Sequence, residues 1–150
     1  MKDAFGGLLN IIIIAIFLVI VEGILGLVVN YSKAFRMKNA VISAIERYEG
    51  LGCFSSNPSD CRDMIQQRAK SIGYAPPGTL TCPTSDNYKM VDKLYCVKSS
   101  DGTSGNSYIY SVITQVDINI PIINKIMGLS FFQVHGDTRI IKKYDTNQVK

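Results

Sequence analysis

Apolar residues fill positions 8–29 almost without a break, as LLNIIIIAIFLVIVEGILGLVV, and the polar side chains inside the run are Asn10 and Glu22. About 22 residues at about 1.5 Å each reach about 33 Å, enough to cross a hydrocarbon core of about 30 Å. A helix that is apolar on every side cannot be buried by a domain as small as the rest of this chain. The other reading is a cleavable signal peptide. The run is longer than a usual signal core, and Asn30, Tyr31, Ser32 and Lys33 follow it in place of a small-residue cleavage site. The expectation is a retained transmembrane anchor: residues 1–30 form the N-terminal segment and span, and residues 31–150 form a domain outside it.

Beyond the run the pattern changes, but the helix does not stop. Residues 30–49 hold neither Pro nor Gly, and Phe35, Lys38, Val41, Ile45 and Tyr48 recur at three- and four-residue steps. One helix over residues 8–49 is predicted, about 60 Å long. Its second half is amphipathic and needs a surface packed along one stripe. Gly50 and Gly52 close it. A second helix starts where Asn57 can cap, Pro58 fits the first turn and Asp60 follows. Cys61, Ile65, Ala69 and Ile72 share one of its faces, and Gly73 ends it. The YAPPGT stretch at 74–79 is irregular.

From Thr79 onward the period becomes two. Residues 94–98 read as a strand, residues 99–107 (SSDGTSGNS) as a turn, and residues 108–120 as the clearest strand. In the last, Tyr108, Tyr110, Val112, Val116, Ile118 and Ile120 face one side, and Ser111, Gln115, Asp117 and Asn119 the other. Together they make a hairpin. Pro121 ends it and opens PIINKIMGL, a short apolar turn or helix over residues 121–129. A last strand sets Phe132, Val134, Thr138 and Ile140 against Gln133, His135 and Lys142, and residues 144–150 form a polar tail. The fold class is α+β: a long N-terminal helix, part transmembrane and part amphipathic, packed on a small antiparallel sheet of about four strands.

Composition adds three constraints. The 150 residues leave room for one small domain after the anchor. The net charge of +4 comes from scattered Lys and Arg without aromatic interleaving, which argues against a nucleic-acid surface. The four cysteines, Cys53, Cys61, Cys82 and Cys96, all follow the anchor. An even count in a small anchored domain points to two disulfides in an oxidising compartment, and the absence of paired C-x2-C knuckles weakens the zinc reading. Local pairing, Cys53 with Cys61 and Cys82 with Cys96, ties neighbouring elements. Flanking charge conflicts with this compartment. Lys33, Arg36 and Lys38 outnumber Lys2, and a count of positive residues would hold the carboxyl side in the cytoplasm. The cysteines carry more weight, because long domains translocate largely regardless of flanking charge. The domain is therefore expected on the extracytoplasmic side of the cell membrane.

Catalytic constellations are not visible. His135 is the one histidine, and neighbouring Asp137 is badly placed to orient it. No G-x-S-x-G, H-E-x-x-H or P-loop spacing occurs, and Asp101-Gly102-Thr103 resembles a tight turn more than a calcium loop. No catalytic activity, cofactor or metal is expected. Tyr108 and Tyr110 either cover the sheet or form a binding platform. Glu22 is chemically unusual, because an ionised carboxylate in hydrocarbon costs several kcal/mol. It either meets a cation on a neighbouring helix, or stays protonated or reaches toward the head groups. Ile122, Ile123, Ile126 and Met127 give residues 121–129 an apolar surface that either caps the sheet or meets the membrane or another subunit.

A helix that is half membrane span and half domain spine, followed by a disulfide-tied β-domain, resembles type IV pilins and pseudopilins. The nearer likeness is to TadE-like minor pseudopilins of tight-adherence pili. Their apolar run carries an acid, as Glu22 does here, followed by a segment similar to Asn39-Ala40, Ala44, Arg47 and Tyr48. Their C-terminal part runs strand, proline-led apolar segment, strand, and residues 112–120, 121–129 and 130–141 look like that. Pilin precursors carry glutamate five residues after the cleavage glycine, whereas Ile11 and Ile12 stand at that distance from Gly6 and Gly7. The resemblance thus implies a membrane-retained minor component that assembles with pilin-like or pilus-assembly proteins, or with further copies of itself. The alternative is an anchored extracytoplasmic ligand-binding or sensor domain.

Overall fold

The computed structural model describes residues 2–50, 53–54, 60–76, 80–84, 86–102, 107–118 and 131–142. Helix α1, Lys2–Arg47, is one uninterrupted helix of 46 residues, about 69 Å long. It begins earlier than the apolar run, because nothing from Lys2 to Gly7 interrupts the helical backbone. Its end is a Schellman turn: Glu49 (φ 50°) and Gly50 (φ 76°) are left-handed, and the Gly50 N–H donates to the Ile45 carbonyl at 2.9 Å. A side chain on Gly50 would place its Cβ 2.7 Å from the Tyr110 hydroxyl.

Helix α2, Asp60–Ile72, carries Asp60 and Asp63 in its first turn and Lys70 in its last, the arrangement its dipole favours. It buries Cys61, Ile65 and Ala69, while Ile72 packs at the margin. The expected cap, Asn57 with Pro58, lies outside the described residues. Gly73 (φ 65°) forms a second Schellman turn, with its N–H to the Lys70 carbonyl at 3.2 Å and the Tyr74 N–H to the Ala69 carbonyl at 3.0 Å.

The strands are β1 (Lys89–Val91), β2 (Tyr95–Asp101), β3 (Ser107–Asp117), β4 (Phe131–Asp137) and β5 (Ile141–Lys142). They form an antiparallel sheet in the order β1-β2-β3-β4, with β5 also paired to β3. The α+β expectation holds, with a long helix laid on a small antiparallel sheet. Val97, Val112, Val116 and Val134 meet Ala34, Met37, Val41 and Ile45 of α1 in the main core. Gly136 faces α1 as well; a Cβ there would lie 2.8 Å from the Lys38 side chain and 2.9 Å from that of Ile42.

Four details depart from the sequence reading. The buried stripe of α1 starts at Ala34 and Met37, and Phe35 is exposed. β2 extends through Ser99, Ser100 and Asp101, paired with Tyr110, Ile109 and Tyr108, so the connection is shorter than residues 99–107. The second face of β3 is not polar and open: Ile113 and Gln115 are buried on it, and Ile113 packs with Leu80 and Cys96. Finally, Ile141 is buried and Ile140 is 58% exposed. The register slips by one residue between Ser111↔Asp137 and Tyr108↔Ile141, a bulge at residues 138–140 that reverses the alternation. Two of its backbone N–H groups find partners: that of Thr138 donates to the Tyr110 carbonyl, while the Thr138 hydroxyl accepts the Tyr110 N–H, and the Arg139 N–H donates to Glu46 at 2.8 Å.

Candidate functional site at the junction of the apolar helix and the domain

From Gly6 to Ile20 every side of α1 is exposed, and none of the described residues of the domain packs on it. Helix α1 is long and apolar enough to cross a membrane, and its most apolar window is 0% buried. The first wholly buried position is Ala34. There the Thr114 hydroxyl, itself 0% exposed, donates to the Ala34 carbonyl at 3.0 Å. β3 thus grips the helix where it enters the domain.

Aromatic side chains gather on the β4 side of this entry. The Tyr31 ring lies 6.3 Å from Phe35 and 5.7 Å from Phe132 of β4, both nearly parallel to it. The Lys38 ammonium stands 4.3 Å over the Phe35 ring. On the α2 side, Asn30, Lys33, Gly73, Tyr74, Ala75, Gln115 and Val116 line a notch of about 210 Å³. The Lys33 ammonium lies beside Gly73, at the carbonyl-rich end of α2, where a cation is favoured.

Two disulfides and the Arg62–Asp92 ion pair help hold the surrounding elements. Cys53 pairs with Cys61 across a Cα separation of 5.0 Å, and Cys82 with Cys96 across 5.7 Å, the expected local pairing. The first joins the end of α1 to the start of α2. The second ties residues 80–84 to β2. The β1–β2 turn closes through the Leu94 N–H and the Val91 carbonyl, with Asp92 and Lys93 both left-handed. Asp92 accepts from Arg62 Nε at 2.8 Å, again from the second guanidinium nitrogen, and from Gln66 at 3.1 Å. The Arg62 hydrogen bonds hold the Asp92 carboxyl below the usual range, against the opposing effect of burial.

Glu22 is exposed on the unpacked half of α1, about 18 Å along the axis from Ala34. Residues 121–129, with Ile122, Ile123, Ile126 and Met127, lie outside the described residues. His135 is exposed opposite Ile113 in the register, on the face of β4 turned away from α1. Tyr110 covers structure: its ring sits on Gly50 and lies 5.1 Å from that of Phe54. Burial raises the pKa of its hydroxyl. Among the described residues no group of three or more His, Cys, Asp or Glu could hold a metal ion.

Sequence reasoning missed Tyr74, Thr114 and Phe132 as parts of this junction. The signal for Tyr74 was present: it directly follows the helix-ending Gly73. Nothing local distinguishes Thr114 or Phe132, whose roles arise from pairing across the fold. No protein-family model, curated protein or solved structure matches the chain.

Proposed function

We propose that this chain is a non-enzymatic, single-pass membrane protein with an extracytoplasmic pilin-like domain, and that it works by assembling with partner helices in a pilus or secretion-type envelope machine. The observation that carries the reading is the continuity of α1, which is exposed on every side from Gly6 to Ile20 and is the spine of the domain over its second half. A rigid coupling of this kind transmits contacts made within the bilayer to the domain above it. Two disulfides support the extracytoplasmic side. Glu22 is the polar recognition element on the unpartnered half: a cation on a neighbouring helix offsets the cost of its charge in hydrocarbon.

Co-purification of pilin-like partners with membrane-extracted protein tests this. Glu22→Gln should leave membrane insertion intact and reduce partner recovery, and Glu22→Leu should do the same. Unchanged recovery with both substitutions contradicts the role of Glu22. The second reading is an anchored ligand-binding domain, for which the notch beside Asn30 and Lys33 is the specific support. A Lys33→Ala variant that keeps partner recovery but loses a ligand-dependent thermal shift would favour it.

A further inference from the structure

Large apolar side chains exposed on the described part of the domain are few. Tyr31 is 43% exposed and Phe35 41%, and the others are Met90 and Ile140, which stand apart. Tyr31 and Phe35 are joined by the half-buried Phe132, which comes from a different element. All three rings lie immediately beyond the apolar run.

The axial positions decide what this cluster meets. Tyr31 is about 3 Å past Val29 along α1, Phe35 about 9 Å, and Lys38 about 13 Å. The polar layer on each side of a bilayer is about 5–8 Å thick. With the run centred in hydrocarbon, the Tyr31 backbone falls at head-group depth, that of Phe35 just past its outer edge and that of Lys38 farther out. Helical side chains lean toward the N-terminus, so the Phe35 ring, with the Lys38 ammonium 4.3 Å from it, reaches back toward this layer. Aromatic rings favour that depth because they are apolar with a polar or polarisable rim. The Lys38 ammonium lies over the Phe35 ring, where it can meet phosphate.

Resting on the anchor reading above, we propose that Tyr31, Phe35 and Phe132, with Lys38, form a seat for phospholipid head groups. The seat fixes the height and rotation of the domain on the membrane. Phe132 is the decisive member. Tyr31 and Phe35 would reach this depth on any helix continuing from the span, but Phe132 reaches it only if the β4 side of the sheet itself rests on the bilayer.

The chain contains no Trp, so one introduced Trp is a unique fluorophore. The full chain is placed in vesicles of phosphatidylcholine and phosphatidylglycerol, with lipids brominated near the top of the acyl chain as quencher for the domain residues and lipids brominated near its end as quencher for residue 17. Phe132→Trp should be quenched several-fold more strongly than Ile140→Trp, and Phe17→Trp, inside the span, should also be quenched. Phe131→Trp, on the adjacent half-buried residue of β4, reports the depth of the same end of the sheet, should Phe132→Trp fail to fold. Quenching of Phe17→Trp with Phe132→Trp no more quenched than Ile140→Trp overturns the seat and leaves the anchor standing. Blue-shifted but unquenched emission from Phe132→Trp reports burial within the protein and also overturns the seat. An unquenched Phe17→Trp removes the anchor and the seat together.

Discussion

The Tyr74 hydroxyl donates to the Gln115 carbonyl and accepts from the Gln115 N–H, each at 3.0 Å. It stands where the β-ladder runs out. β2 and β3 pair Cys96 with Ile113, so the next rung would set Leu94 against Gln115, but Leu94 belongs to the turn. One phenol therefore supplies both hydrogen bonds of the missing rung. The Schellman turn at Gly73 aims Tyr74 at this place, and the Gln115 side chain accepts the Thr81 N–H at 3.1 Å. Burial pushes the Tyr74 pKa up, although its bond to the backbone opposes this.

Tyr74→Phe should therefore destabilise the protein by about 1–3 kcal/mol, the cost of leaving buried backbone groups unpaired. Thermal unfolding of the full chain in detergent micelles, followed by circular dichroism, measures it. No loss of stability would mean that water already serves Gln115.

Tyr95 predicts the opposite sign. It is also wholly buried, but its hydroxyl has no partner among the described residues. Burial, assisted by the nearby Asp92 charge, raises its pKa. Tyr95→Phe removes an unsatisfied group and should be neutral or stabilising by about 1 kcal/mol in the same melt.

Acid should weaken the clamp between Asp92 and Arg62. The Asp92 pKa is lowered in the folded protein, so its contribution is complete above the unfolded value of about 3.9 and is lost as pH falls through the folded value. Asp92→Asn should be less stable than the parent at neutral pH, and the two should converge below about pH 4. Parallel melting curves across that range would contradict the clamp.

The turn that ends α1 gives a steric prediction. Gly50→Ala must hold a left-handed φ and push against the Tyr110 hydroxyl, and should cost about 1–2 kcal/mol. A Tyr110→Phe background should lessen that cost by removing the nearest atom. Strict additivity would show that only backbone strain matters.

Much of this architecture was legible in the sequence, and the misses share a cause. Continuity of α1 followed from an unbroken stretch without proline, and the cysteine pairing from local spacing. The N-terminal part of the α1 stripe was misplaced by one residue, while Val41, Ile45 and Tyr48 held: Phe35 looked like core because of its size, whereas the small Ala34 is the residue that lets β3 approach. Ile140 and Ile141 could not be told apart, because a bulge resets the phase of a strand without a Gly or Pro to mark it. Gln115 read as a solvent-facing residue because its cover, residues 80–84 held by the Cys82–Cys96 disulfide, is remote in sequence. The junction cluster was invisible for the same reason, since Phe132 meets Tyr31 only after β4 has paired with β3.

The central claim, that one helix both spans the membrane and carries an extracytoplasmic domain, is tested most directly by protease accessibility in intact cells combined with carbonate fractionation. The account predicts a full-length chain that stays in the carbonate-washed membrane pellet. Its domain should be digested by protease added from outside without detergent, and its four cysteines should resist thiol labelling until reduced. A chain released by carbonate, or a domain that is protected until the membrane is opened and carries free thiols, would contradict it.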